Sequence, residues 1–237
     1  MTNLEASTHY MGFIEDYRNI MMICKEGSKI AEISEVDAIN LLFSLKPNVA
    51  DFFAVTPYHY ISAGPHGWNH FRFLLNILIN DINLTKVVEI NRAYACVLFK
   101  GHGKDRNSSR SYRTISSCPV IAKALDLHVR NIFIESWNRS QAATQYQSHG
   151  SSHELASLLL TESIQHSLFA HKKPVYVLYL DAKSAFDVLQ RERLIKNLFG
   201  LQKADEYLSY IDHRLAHRET VIDWDGTLWA QYVMIRV

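Results

Sequence analysis

Apolar positions recur along most of this chain at three- and four-residue spacing, but one run breaks the rule. Val175-Tyr-Val-Leu-Tyr-Leu180 is unbroken, follows Pro174, and predicts a short strand buried on both faces. Asp181 stands at its end, and a helix over 184–199 follows, stopped by Gly200. Upstream, residues 12–45 read as two short helices divided near Ser28, with Lys46-Pro47-Asn48 ending the segment. The interval 56–68 carries two prolines, two glycines and several aromatics, which predicts an ordered loop. Phe71 to Ile82 is a buried helix by its apolar density. Strands are predicted at Tyr94–Phe99 and Tyr112–Ile115.

Pro119 suits a first helical position, and Ile121, Leu125, Val129 and Phe133 follow at four-residue intervals. Ser151-x-x-Glu154 reads as a capping box ahead of a leucine-rich helix. A last helix is predicted over 204–216, then a hairpin over 220–229 turning at Asp225-Gly226. Helices and strands mix without strict alternation, so the fold class is α+β.

Composition narrows the function classes. The chain has 237 residues, room for one large domain or two small ones, and 48% of them are hydrophobic, enough for a sizeable core. A formal net charge of +1 makes no global case for nucleic acid, so any electrostatic argument must be local. Cys24, Cys96 and Cys118 are odd in number, far apart and without metal-ligand spacing, which fits a reducing compartment. No apolar stretch is long enough for a membrane span, and the first residues carry acids rather than a signal-peptide core. The expected location is therefore intracellular, in cytoplasm or nucleus.

Local charge does change the picture. Lys100-Gly-His-Gly-Lys104-Asp-Arg106-Asn-Ser-Ser-Arg110-Ser-Tyr-Arg113 holds five cations and one acid, a balance of 5 − 1 = +4 in a chain of total +1. A basic hairpin tip suits phosphate oxygens; standing alone it reads as an ordinary solvated turn. Asp181 has the same ambiguity. A carboxylate at the mouth of a buried strand is placed to hold a divalent cation, yet an Asp at a strand-to-helix junction is most often an N-cap.

The string from the buried run through Asp181-Ala-Lys183-Ser-Ala185-Phe186-Asp187 resembles motif A of reverse transcriptases, most closely those of non-LTR retrotransposons. Leu98-Phe-Lys-Gly-x-Gly-Lys104, Ser111-Tyr-Arg113-Thr-Ile-Ser116 and Pro119-x-x-Ala-Lys123 resemble the fingers of the same family, and the order agrees over roughly residues 86–220.

The resemblance implies a partial right-hand polymerase fold: a helical region over 1–85, fingers over 86–170, and the start of a palm over 171–237. It implies Asp181 as the catalytic aspartate bridging two Mg2+ ions, with the Ala182 carbonyl as a further ligand. Phe186 would close against the sugar of the incoming deoxynucleotide, and Asp187 would orient Lys183. Arg113 would grip the triphosphate with Lys104, or alternatively Lys100. The partners implied are an RNA template, a DNA primer and deoxynucleoside triphosphates.

That family continues with a Gln-Gly motif B and an x-Asp-Asp motif C, and Gln231 to Val237 contains neither, so these residues alone are expected to be inactive. The alternative is a non-catalytic nucleic-acid-binding or structural relic. Asp223-Trp-Asp225-Gly-Thr227 matches a haloacid-dehalogenase-like phosphatase signature. It is read as a coincidence, since no long buried strand precedes it. The spacing of His213 and His217 is read as a solvated face.

Overall fold

A computed structural model describes residues 3–26, 30–81, 89–101, 103–140, 152–180, 190–201, 206–216, 218–224 and 227–232. Eight α-helices are described: α1 (Asn3–Glu26), α2 (Glu35–Ser44), α3 (Pro57–Ser62), α4 (Gly64–Asn80), α5 (Val120–Ser140), α6 (His153–Phe169), α7 (Arg191–Phe199) and α8 (Glu206–Ala216). Four strands accompany them: β1 (Arg92–Phe99), β2 (Tyr112–Ser117), β3 (Glu219–Trp224) and β4 (Thr227–Tyr232). The class is α+β.

The strands form a mixed sheet in the order β2-β1-β3-β4. β1 pairs antiparallel with β2 and parallel with β3, and β3 pairs antiparallel with β4. The parallel pair is possible because helices α5 to α8 lie between β1 and β3 in sequence and carry the chain back.

Phe71, Leu75, Leu78 and Ile79 place a stripe of α4 in the core, and Leu41 and Leu42 of α2 and Val120, Leu125 and Val129 of α5 meet them. Ile195 of α7 and Leu208 of α8 complete a cluster in which α7 and α8 also pack on α1. Each such aliphatic side chain contributes roughly 1.5–3 kcal/mol on burial.

Polar groups fasten this body to the sheet. Arg214, on α8 and buried, donates from Nη1 to the Ile90 carbonyl (3.0 Å) and Asn91 Oδ1 (2.7 Å), just ahead of β1, and pairs through Nε with Asp126 of α5 (3.3 Å). Burial is the largest single influence on Arg214 and opposes its charge, but Asp126, Tyr210 and Cys118 together outweigh it and the pKa is raised. Asp51, also buried, accepts from the Phe53 and Val55 amides through Oδ1 and from the Val120 amide through Oδ2 (2.9 Å). A loop carboxylate thus caps the first turn of α5 from far away in sequence.

Several expectations need correction. Residues 57–62 and 64–68 are helical, not loop. Pro57 and Pro65 occupy first-turn positions, where a missing N–H costs nothing, and the Thr56 amide donates to His59 Nδ1 (2.9 Å) to close the turn. Ile30 and Ile33 precede α2 rather than join it. Ser34 caps α2 through the Asp37 amide, and Asn76 of α4 exchanges two hydrogen bonds with the Ile33 backbone. Ser152, not Ser151, caps α6, its Oγ accepting from the Leu155 amide (3.2 Å); Ser151 lies outside the described residues. α7 starts at Arg191, after an extended Gln190, and 184–189 lie outside the described residues.

The largest correction concerns Val175–Leu180. The run forms no strand and is exposed throughout, from 37% at Val175 to 91% at Tyr176. Apolarity makes a strand only where a neighbouring ladder accepts its backbone groups. Here the place beside β1 is taken by β3.

Candidate functional site

β1 and β2 form the hairpin that presents the basic tip. Leu98 pairs with Arg113 and Phe99 with Tyr112, and the Lys100 amide extends the ladder to the Ser111 carbonyl (2.8 Å). Gly101 and Gly103 take φ of 72° and 68°, a left-handed bend that side chains resist. Asp105 Oδ1 accepts from the Asn107 amide (2.9 Å), so the one acid of the loop is engaged in a local turn.

Two tethers then hold the tip. Lys100 Nζ donates to the Arg110 carbonyl (2.6 Å), and the Tyr112 hydroxyl donates to the Arg106 carbonyl (2.9 Å). The Arg106 guanidinium lies 5.2 Å above the centre of the Phe99 ring. Lys100, Lys104, Arg106, Arg110 and Arg113 are all exposed, and among the described residues none has a carboxylate within 4 Å. The hairpin therefore offers positive charge that the rest of the described fold does not neutralise.

Strand alternation divides these cations between two faces. Val97, Phe99, Tyr112 and Thr114 share one face, where a cavity of about 450 Å³ is lined by Arg106, Ser108, Ser109, Tyr112 and Thr114 among others. Guanidinium, hydroxyl and amide donors around an open concavity can receive phosphate oxygens. Arg113 lies on the opposite face with Cys96, Leu98 and Ile115. There Phe52 stacks face to face on Tyr94, and Phe53 meets both rings edge-on.

Of the residues predicted from sequence, Lys100, Lys104 and Arg113 thus share one hairpin. Lys100 is used as an internal tether, and Arg113 points away from the hydroxyl-lined cavity. Arg106 with Ser108 and Ser109, and the Phe52–Phe53 pair, were not singled out from sequence. Arg106 carried a signal, since it falls within the +4 segment. Phe52 and Phe53 carried none beyond being adjacent aromatics.

Asp181, Ala182 and Phe186 lie outside the described residues, as do Lys183 and Asp187. Among the described residues no group of three or more His, Cys, Asp or Glu side chains is placed to hold a metal ion, and no helix is long and apolar enough to cross a membrane. The predicted hairpin near 220–229 is present as β3 and β4, with residues 225 and 226 of its turn outside the described set. His213 is buried on α8 rather than solvated. No protein-family model matches the chain, and no curated protein matches it significantly.

Proposed function

We propose that this chain carries the fingers and early palm of a reverse-transcriptase-type nucleotidyltransferase, with the β1–β2 hairpin as its polyphosphate-binding element. The observation that carries the reading is the hairpin itself: five cations without carboxylate partners among the described residues, a tethered tip, and a hydroxyl-lined cavity beside Arg106. The sequence resemblance of 98–123 and 175–187 supplies the reaction class. By that resemblance Asp181 and the Ala182 carbonyl would hold Mg2+ in the parent reaction, and Phe186 would select deoxynucleotides. Lys104 would meet the triphosphate beside the Arg106 cavity, with Arg113 reaching it from the other face of the hairpin. These 237 residues contain no Asp-Asp pair, so no primer extension is expected from them.

A second reading, a nucleic-acid-binding module without catalysis, draws on the other face. Phe52 and Phe53, 44% and 45% exposed, lie on the same face as exposed Arg113, whose partner Leu98 is four residues along β1 from buried Tyr94. Aromatics and a cation spaced along one face suit single strands, whose bases stack on aromatics while cations follow the backbone.

Titrating fluorescent deoxynucleotide and single-stranded RNA against the protein, with and without Mg2+, separates the two. The first reading expects Mg2+-dependent nucleotide binding lost in Asp181→Ala and weakened in Arg106→Ala. The second expects Mg2+-independent RNA binding that falls steeply with salt, its log–log slope dropping by about one when a phosphate-contacting cation is removed. Absence of both kinds of binding would overturn both readings.

A further inference from the structure

Helix α6 spreads eight apolar residues among nine polar ones around its axis, and none of its residues is buried, so large apolar side chains stay in water. Its most exposed large side chains are Phe169 (79%), Leu158 (55%) and Leu168 (46%). Leu158 and Leu168 stand near the two ends of one face, which follows Glu154, Leu158, Thr161, Gln165 and Leu168 at alternating spacings of four and three, with Phe169 at its edge. Charge is segregated along the same segment. Glu154 and Glu162 are the acids of 153–173, and Lys172 and Lys173 its lysines, so the segment is neutral but polar end to end.

We propose that this face is an interface between two copies of the chain, packed antiparallel about a two-fold axis level with Ser163 and passing between Thr161 and Gln165. Leu158 and Leu168 lie five residues either side of Ser163, and Glu154 and Lys172 nine either side. One antiparallel register therefore sets Leu158 of each copy against Leu168 of the other, and Glu154 against Lys172. A two-fold contact requires such self-complementarity. The chain also folds back at the C-terminal end of α6, where the Lys173 amide donates to the Ser167 carbonyl (3.1 Å), which keeps Lys172 close to the helix. Glu154 is engaged locally, by the Ser152 hydroxyl and by His153 at 2.8 Å, in an exposed cluster that leaves the carboxylate accessible to a further cation. Among the described residues no carboxylate lies within 4 Å of Lys172.

Acids first and bases last also suit the dipole of a lone helix, so the test must distinguish pairing from dipole. Sedimentation equilibrium of the full chain, from about 1 to about 100 µM, should show a two-chain mass at the upper end. Leu158→Asp should return it to one chain, whereas Leu159→Asp, on another side of the helix, should leave it unchanged. Glu154→Lys and Lys172→Glu should each weaken association by about three- to tenfold, and the double reversal should restore it, which no dipole effect would do. Circular dichroism should be the same for all variants, because α6 contributes nothing to the core. A one-chain mass throughout, growth beyond two chains, loss of association in Leu159→Asp, or failure of the double reversal to restore it would each overturn the proposal.

Discussion

Helices α4 and α6 are both 17 residues long, and they have opposite fates. α4 buries Phe71, Leu75, Leu78 and Ile79; α6 carries six leucines and phenylalanines that stay more than a third exposed. Apolar content does not separate them. Arrangement does: Phe71, Leu75, Leu78 and Ile79 of α4 gather at i, i+4, i+7 and i+8, so one face is covered, while Phe73 and Leu74 on its flank stay exposed. Those of α6 wrap the axis, and the folded core described here offers it no enclosing site. Burial is a property of a face and its partner, and hydrophobicity alone supplies only half of that.

The sharpest way to break this comparison is a matched pair of truncations. Leu75 is fully buried, so Leu75→Ala should cost about 2–5 kcal/mol in urea unfolding. Leu159→Ala in α6 should stay within about 0.5 kcal/mol. Equal losses would mean that α6 is packed in solution.

Next in size is Arg214→Met, which removes the donor to the Ile90 carbonyl and Asn91 Oδ1 and takes from Asp126 its cation, leaving it the Tyr210 hydroxyl. A loss of about 3 kcal/mol is expected, the low end for a broken buried pair because Asp126 is half exposed. Asp51→Ala removes the acceptor of three backbone amides, including the cap of α5, and should cost about 2 kcal/mol. No comparable polar tie holds α6 to the core among the described residues.

The smallest effect is a pH dependence. Burial pushes the His128 pKa below its ordinary value of 6.5, against the weaker opposing pull of Asp37. The unfolded chain then binds the proton more readily than the folded one. His128 therefore contributes full stability above about pH 6.5 and loses it as the pH falls through the lower folded value. The stability difference between wild type and His128→Gln should shrink on acidification across that window. A constant difference would mean that the imidazole is not buried against Tyr207 as its 3.2 Å contact requires.

Much of the fold is legible in particular residues. The β1–β2 hairpin follows from Tyr94–Phe99 and Tyr112–Ile115, α5 from Pro119 and its four-residue apolar spacing, and the β3–β4 hairpin from Asp225-Gly226 between apolar runs. The 56–68 error arose from counting prolines as breakers without asking whether each stood in a first helical turn. The strand expected at 175–180 failed for a different reason. A run of Val, Leu and Tyr states a preference for burial, but which backbone lies alongside is decided by pairing that no local window contains. At the candidate site, the +4 charge of 100–113 was visible in sequence. The division of Arg106 and Arg113 between faces required the ladder register.

The chain's own order of residues determined the α+β class, the position of the basic tip, the amphipathic stripe of α4 and the spread of apolar residues around α6, because these rest on periodicity and charge counted within a few turns. Tertiary structure alone decided that β3 lies parallel to β1, that Asp51 caps a helix 69 positions away, and that Arg214 joins α8 to the entry of the sheet. Such contacts are chosen by long-range packing, where the loss of chain entropy is offset only once all the partners are in place together.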